Sequence, residues 1–308
     1  MKSQHSAMGR QENQAFVALV ALLILLNPWT LVTAVPETAA VDGGCCAPGA
    51  ALAKDFSAFY TAAYRLYHDP SQIYYHGILN DGETMIPPEP EAYKYLPSFL
   101  LMVTPFLLLP YGQSLLAFDY FQFALLPIIA AMIYVLLRGR GLLATSAVAV
   151  AVLTLPLPLP TPQWVLSASY YWQWAEGQSK VLETFLLLGA LVLAKSGRPR
   201  MAGVALGLAA FDPRFVLLGA PLVIAYSKDL KGCIACAAAT FALTNFILFY
   251  PPTLLGFLTA TLTSGLSTPL YYYSFIPISA LASLFVLDRT DVILAIGRLT
   301  TRVRQHSA

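Results

Sequence analysis

The stretch 115–137, LLAFDYFQFALLPIIAAMIYVLL, decides the fold class of this chain. It contains one charged residue, Asp119, and a helix of its length measures about 35 Å at 1.5 Å per residue, enough to cross a hydrocarbon core about 30 Å thick. The runs 15–35, 141–159 and 233–250 are comparably apolar. Because 57% of the chain is hydrophobic and only 11% is charged, the sequence predicts an all-α chain of transmembrane helices instead of a soluble domain.

The placement of charges around these runs predicts their sidedness. The loop 36–95 holds eight of the 16 acidic residues and three of the 18 basic residues, which suits a first extracytoplasmic loop because basic residues concentrate in cytoplasmic loops. The segment 96–113 is short and interrupted by prolines, and we interpret it as a re-entrant or interfacial element. Both termini are then cytoplasmic, with thirteen basic residues inside. If the run 15–35 is a cleaved signal peptide instead of a span, the loop stays on the same side.

The predicted architecture is a polytopic transmembrane helix bundle with about eight spans, forming a single domain over 1–308 with a basic cytoplasmic tail, 289–308. The spans lie near 15–35, 114–138, 141–160, 178–195, 200–212, 213–227, 231–250 and 268–287.

The pair 200–212 and 213–227 consists of two half-length helices that meet at Asp212-Pro213-Arg214. A single continuous span would place both charges near the bilayer centre, at a cost of about 2.5 to 3.5 kcal/mol each. A broken hairpin whose tip lines a cavity avoids that cost, so the tip is a candidate site.

The extracytoplasmic loop contains a predicted interfacial helix with a carboxylate at its start. Apolar and aromatic residues form a helical stripe at positions 56, 59, 60, 63, 64 and 67. Asp55 precedes the stripe, where an aspartate is either a helix N-cap or a catalytic group. The spacing of His68 and His76 does not suit a metal, and Cys233 with Cys236 reads as one turn of small core residues.

Two further features carry polar or aromatic side chains. The segment 164–178 concentrates three of the four tryptophans and leads into Gly177, Gln178 and Lys180, so it is either an aromatic belt at the membrane surface or a platform for a sugar or isoprenoid chain. Asp119 inside an apolar helix is a functional candidate, although helix capping or a partner such as Lys180 would also explain it.

Several classes of protein are excluded by what the sequence lacks. It has no phosphate-binding glycine loop, no dinucleotide fingerprint, no serine elbow, no HExxH motif and no basic patch for nucleic acid. No metal site or other cofactor is expected. An enzyme of this kind would have to use an activated substrate from the membrane.

The order of motifs resembles the GT-C superfamily of membrane glycosyltransferases, in particular glycosyltransferase family 87, the polyprenyl-phosphate-mannose-dependent mannosyltransferases. Four local matches carry the resemblance. They are Asp55 with Tyr60 and Ala62-Ala63; the run from Tyr95-Leu96-Pro97 to Thr104-Pro105-Phe106-Leu107-Leu108-Leu109-Pro110; Gly177-Gln178; and Ala202-Gly203-Val204-Ala205-Leu206-Gly207-Leu208-Ala209 before Pro213.

The resemblance implies a GT-C-like fold and inverting transfer of a sugar, mannose in the family, from a polyprenyl-phosphate donor to a lipid or glycan acceptor on the extracytoplasmic face of the cell membrane. Asp55 would be the general base. The substrate-binding residues implied are Tyr60, Arg65, Trp174, Gln178, Lys180 and Arg214. The cations among them, Arg65, Lys180 and Arg214, are the candidates for contacting the leaving phosphate.

Two other classes of function stay open at this point. Asp212 stands before Pro213 where family members usually have a lysine, and members are commonly longer, so a minimal or inactive member acting as a membrane subunit or scaffold is one alternative. A lipid-linked sugar transporter is the other, although its expected internal repeats and mid-span charges are not evident. The sequence does not define the oligomeric state.

Overall fold

The computed structural model describes residues 54–75, 93–137, 177 and 179–261, together with the isolated positions 14, 17 and 18. Regular secondary structure in this part of the chain is entirely helical, which confirms the all-α prediction. The α-helices are α1 (Lys54–His68), α2 (Ser98–Val103), α3 (Tyr111–Leu137), α4 (Lys180–Lys195), α5 (Pro199–Ala209), α6 (Pro213–Tyr226), α7 (Leu230–Thr244) and α8 (Pro251–Ala260). Short 3-10 helices lie at Pro70–Gln72, Thr104–Leu108 and Phe246–Phe249.

One helix of the described residues, α3, is both long and apolar enough to cross a membrane. Its 27 residues extend about 40 Å. Helices α4 and α7 overlap predicted spans, but their 16 and 15 residues extend only about 24 and 22 Å. The count of about eight spans is therefore not confirmed. The predicted spans 141–160 and 268–287 and the tail 289–308 lie outside the described residues, and so does the span 15–35 apart from positions 17 and 18.

Helix α1 is enclosed by protein on most sides. Phe56, Phe59 and Ala63 of the predicted stripe are fully buried. Ser57 and Thr61, which lie off the stripe, are buried as well. An interfacial helix with one apolar face would leave such small polar residues exposed. Their burial shows that the described part of this helix packs into the core, against α2 and the 3-10 helix that follows it.

The segment 96–113 folds as α2 followed directly by the 3-10 helix Thr104–Leu108. These eleven residues extend about 19 Å, less than the thickness of a hydrocarbon core. Pro105 lies at the start of the 3-10 helix, where its missing N–H group costs no intrahelical bond. The re-entrant or interfacial role of this segment stays a prediction.

Short, well-defined turns connect α4, α5 and α6. Helix α4 ends at Lys195 and is closed by Gly197, which has a φ of 75°; the Arg198 N–H donates to the carbonyl of Leu193 at 2.9 Å, as in a Schellman motif. Pro199 then begins α5 and Pro213 begins α6, both at the first helical position that favours proline. The two half-length helices predicted around Asp212-Pro213 are therefore present as separate helices.

Small residues bring α5 and α7 into backbone contact. Gly203 and Gly207 lie four residues apart on one face of α5, the spacing of the small-residue motif of membrane helices. A Cβ atom on Gly207 would lie 2.6 Å from the carbonyl oxygen of Ala237, and one on Gly203 would overlap the carbonyl of Cys233. Cys233 is fully buried and both described cysteines are unbridged, so the cysteine pair serves as small packing residues.

The end of α7 differs from the prediction. The apolar run 233–250 reads as one helix, but α7 stops at Thr244. Asn245 leaves the helical conformation, with a φ of −116° and a ψ of 18°, and its side-chain amide donates to the carbonyl of Phe241 at 3.0 Å. A 3-10 helix and then α8 follow, and the Thr253 hydroxyl of α8 donates to the carbonyl of Pro70 at 3.0 Å. Hydropathy alone conceals this break, since both sides of it are equally apolar.

The helix ends form two separate groups of contacts in the described part of the chain. At one end, the starts of α2 and α4 meet the α5–α6 turn and Asn245, through the bonds detailed below. At the other end, the Lys195 ammonium lies 4.8 Å from the ring centroid of Tyr226, and Arg200 pairs with Asp229 at 3.6 Å. The basic residues of the α4–α5 and α6–α7 turns are thus gathered at the end opposite Lys180.

Candidate functional site

Asp55 lies in the first turn of α1 and is half-buried. Helix α1 begins at Lys54, so the aspartate is the second helical residue instead of the cap. The N–H groups and the dipole at a helix N-terminus make this a common position for acidic side chains. Asp55 is therefore a carboxylate on a rigid, buried helix that keeps partial access to solvent.

Gly177, three residues before α4, lies directly against the first turn of α1. Its φ is 62°, and a Cβ atom there would lie 2.5 Å from Cβ of Phe56 and 2.9 Å from Cδ1 of Leu115. Only glycine fits both the backbone conformation and the space. Because Phe56 follows Asp55 directly, the chain entering α4 passes beside the helical turn that bears the carboxylate.

Three charged side chains are buried together at the start of α4. The Lys180 ammonium lies 3.2 Å from Oε1 of Glu183 and 3.9 Å from Oδ2 of Asp212, and all three residues are at most 5% exposed. The Ser179 hydroxyl donates to Glu183 at 2.7 Å. Buried charges require such pairing because desolvation is expensive. We call Lys180, Glu183 and Asp212 the buried ionic cluster.

The start of the segment 96–113 packs against the α5–α6 turn. The Leu96 N–H donates to the carbonyl of Phe211 at 2.9 Å, and the Phe211 ring stacks on Phe99 with 4.7 Å between centroids. The Lys180 ammonium lies 5.8 Å from the centroid of Tyr95, within cation–π range. Tyr95 and the start of α2, the α5–α6 turn and the start of α4 therefore meet at one place, three residues along the chain from Gly177.

Two tyrosines of the loop 36–95, Tyr74 and Tyr93, act as neutral hydrogen-bond donors. The Tyr74 hydroxyl donates to the carbonyl of Tyr95 at 3.0 Å and the Tyr93 hydroxyl to that of Leu96 at 2.9 Å. Burial raises the pKa of both hydroxyls, and for Tyr93 the neighbouring tyrosines raise the pKa further. These groups hold the loop in place and are unsuited to proton transfer near neutral pH.

Tyr60 and Arg65, predicted to bind substrate, are engaged within the protein. The Tyr60 hydroxyl donates to the carbonyl of Leu109 at 3.2 Å, and its ring packs edge-on against Tyr111. The Arg65 guanidinium donates to the carbonyl of Tyr75 and lies 5.5 Å from that ring's centroid.

Arg65 is also ten residues from Asp55 along α1, about 15 Å along the helix axis. The structure therefore brings Asp55 near Gly177, and Lys180 near Asp212, but it leaves Arg65 at the far end of its helix. Trp174 and Gln178 lie outside the described residues, and only the backbone of Arg214 is described, as the second residue of α6. The roles of all these residues stay predictions.

Asp119 is buried without a hydrogen-bond partner on its Oδ1 atom. It is on the same side of α3 as Leu115, one turn earlier, which contacts Gly177. Lys180, which the sequence suggested as its partner, pairs with Glu183 and Asp212. Among the described residues, no group of three His, Cys, Asp or Glu side chains has the geometry of a metal site.

The sequence reading overlooked Glu183 and Asn245. Glu183 could have been found, because it lies three residues after Lys180 on a helix, the spacing of an ion pair. Asn245 carried no such signal: its Oδ1 accepts a 2.9 Å hydrogen bond from the N–H of Ser98, 147 residues earlier, and satisfies an N–H group at the start of α2.

The family model described as glycosyltransferase family 87 matches residues 93–295 of the chain. No curated protein and no solved structure matches it. The matched range is about two thirds of the chain and includes the buried ionic cluster, Gly177 and the α5–α6 turn. Asp55 lies outside it and is connected to it through the contact of Phe56 with Gly177.

Proposed function

Since the chain belongs to glycosyltransferase family 87, we propose that it moves mannose from a polyprenyl-phosphate donor to a lipid or glycan acceptor on the extracytoplasmic face of the membrane, with Asp55 as the general base. Membership of the family makes the chain a membrane-associated glycosyltransferase. The sugar, the donor, the face of the membrane and the role of Asp55 are the proposed parts.

One observation carries the assignment of Asp55. The helical turn that bears this half-buried carboxylate packs against Gly177, which lies within the matched range and leads into the buried ionic cluster. A base must reach the acceptor hydroxyl while the donor phosphate is held nearby. Asp55 combines partial exposure with a rigid position beside the elements that would hold the donor.

The proposed reaction is a single displacement. Asp55 accepts the proton of the acceptor hydroxyl as that oxygen bonds to the anomeric carbon, and the bond from this carbon to the phosphate oxygen breaks. The electron pair of that bond leaves with the polyprenyl phosphate, so the sugar configuration is inverted. A positioned base of this kind contributes about 10²- to 10⁴-fold to the rate.

The leaving phosphate needs a positive charge, and Arg214 is our choice for it. Arginine binds phosphate through two parallel hydrogen bonds and is always charged. The alternatives are less suitable. The Arg65 guanidinium bonds to the carbonyl of Tyr75, and Arg65 lies about 15 Å along α1 from Asp55; Lys180 already faces two carboxylates. With arginine in this role the reaction would require no metal ion, so chelator should leave transfer unchanged.

The distribution of basic residues supports an extracytoplasmic site. Lys195 and Arg200 lie at the end of the helices opposite Lys180, together with the α6–α7 turn. Basic residues favour the cytoplasmic side of membrane proteins. This arrangement would leave the buried ionic cluster and Asp55 towards the outside.

The decisive experiment measures transfer of labelled mannose from polyprenyl-phosphate mannose by purified protein in detergent, with a membrane lipid extract as acceptor. The wild type should transfer label and Asp55→Asn should lose at least about 10²-fold. Asp69→Asn is the matched control, because Asp69 belongs to the same loop but caps the turn at Ser71 through an oxygen that asparagine keeps.

Two outcomes would count against the proposal. Wild-type activity in Asp55→Asn together with loss of activity in Arg214→Ala would overturn the role of Asp55. Absence of transfer from every polyprenyl-phosphate sugar would favour the non-catalytic membrane subunit instead. A transporter would instead move the lipid-linked sugar across vesicles without forming a new glycosidic bond.

A further inference from the structure

We infer that Lys180 is a positioning residue: its ion pair with Asp212 holds the α5–α6 turn and thereby sets the place of Arg214, without Lys180 contacting the phosphate. The inference rests on the proposed function, since it assigns the leaving phosphate to Arg214. It changes the role expected of Lys180 from a direct ligand to a support for another cation.

The first argument is the kind of contact that Lys180 makes. Its ion pair with Glu183, three residues away, stays within α4. Its ion pair with Asp212 joins two elements that are 32 residues apart in the chain. Both members of the ion pair between Lys180 and Asp212 are buried, with exposures of 5% and 1%. A buried ion pair between elements restricts their relative position, since separating it would leave uncompensated charges.

The second argument is electrostatic. A phosphate near Lys180 would also be near the carboxylates of Glu183 and Asp212, at 3.2 and 3.9 Å from the ammonium. Repulsion from two anions at these distances offsets the attraction of one cation. Lys180 is therefore a poor phosphate ligand in this arrangement, whereas it is well placed as a counter-ion for the turn.

The third argument is the rigidity of the turn itself. Phe211 accepts a backbone hydrogen bond from Leu96 and stacks on Phe99, so the turn is held on one side by the start of α2 and on the other by Lys180. Pro213 follows with a restricted φ and starts α6. A shift of Asp212 is therefore passed on to the backbone of Arg214, two residues later.

A double-mutant cycle distinguishes positioning from direct contact. Lys180→Met, Asp212→Asn and the double variant are assayed for transfer, because a misplacement of about 1 Å can cost on the order of 10²-fold. Positioning predicts that each single variant raises the donor KM by a similar factor and that the double variant is no worse. The KM for the acceptor should not change, whereas a general loss of structure would impair the binding of both substrates.

Two further variants separate the ion pair from charge or folding effects. Lys180→Arg keeps a cation to pair with Asp212, so its transfer rate should stay within about tenfold of the wild-type rate. A structural defect at this site would reduce the rate by more. Glu183→Gln neutralises the other carboxylate beside Lys180 while keeping the ion pair of Lys180 with Asp212, so it should lose much less transfer than Asp212→Asn.

Some results would overturn the inference. If Lys180 binds the phosphate directly, Asp212→Asn should bind donor as well as or better than the wild type, because a competing anion has been removed. Additive losses in the double variant would also contradict positioning, since independent residues give additive effects.

A binding measurement keeps this test separate from that of the proposed function. The rise in melting temperature on adding polyprenyl phosphate, the leaving group without sugar, requires no turnover. Arg214→Ala, Lys180→Met and Asp212→Asn should all reduce this rise. If only Arg214→Ala reduces it, the inference fails while the phosphate role of Arg214 stands. If Asp55→Asn transfers normally, the base assignment fails while the inference is judged by binding alone.

Discussion

Replacing Gly177 with alanine tests the contact that connects Asp55 to the family-matched region. The added methyl group would lie 2.5 Å from Cβ of Phe56 and 2.9 Å from Cδ1 of Leu115. The first of these atoms is attached to the backbone of α1 and has little freedom to move. The substitution should therefore push the first turn of α1 away from α3 and displace the Asp55 carboxylate.

The expected cost has two parts. Alanine at a φ of 62° adopts the left-handed conformation, which costs roughly 1 to 2 kcal/mol. Overpacking against Phe56 and Leu115 adds about 1 to 3 kcal/mol. The total destabilisation of Gly177→Ala should then be roughly 2 to 5 kcal/mol, if the two terms add.

Gly197 provides a matched control. Its φ is 75°, but nothing lies within 4 Å of the position that its Cβ would occupy. Gly197→Ala should therefore cost only the conformational part, roughly 1 to 2 kcal/mol. The difference between the two variants isolates the steric contact with α1.

The assay compares melting temperatures in detergent and rates of sugar transfer for the two variants. Gly177→Ala should melt below Gly197→Ala and should lose transfer by about tenfold to a hundredfold, as expected for a small misplacement of a catalytic group. Equal melting temperatures and equal transfer in the two variants would refute the contact and, with it, the argument that places Asp55 in the site.

The other predictions concern stability. Asp119→Leu should leave the melting temperature unchanged or raise it, because it removes a buried carboxyl whose Oδ1 has no hydrogen-bond partner; a marked drop would show that the carboxyl has a structural role. The raised pKa of Tyr93 predicts that stability falls above about pH 10, where the unfolded chain loses the phenolic proton that the folded protein retains. Tyr93→Phe should flatten this alkaline decline, and an unaltered pH profile of unfolding would speak against it. Gly207→Val should destabilise by about 1 to 3 kcal/mol, because its side chain would meet the carbonyl of Ala237; an unchanged melting temperature would contradict the close packing of α5 and α7.

The helices that the sequence predicted well are those with a local signal. The run 115–137 became α3 because an apolar helix of that length satisfies its own backbone hydrogen bonds and requires no distant partner. The break at Asp212-Pro213 was also predictable, since proline interrupts a helix and buried charges are costly. The end of α7 at Asn245 was missed because the residues on both sides of it are equally apolar.

The candidate site could be predicted only as separate residues. Asp55, Lys180 and Arg214 could each be chosen from residue type and position, and the resemblance to glycosyltransferase family 87 is confirmed by the family match over 93–295. Neither composition nor spacing could indicate that Lys180 pairs with Asp212, or that Arg65 bonds to the carbonyl of Tyr75.

The sequence by itself therefore determined the all-helical class, the family and the broken hairpin, because helix periodicity, hydropathy and proline act over a few neighbouring residues. Only the tertiary structure decided which side chains meet. Gly177 lies on Phe56, and Asn245 accepts a bond from Ser98 across 147 residues, since such contacts depend on how whole helices pack and not on any local pattern.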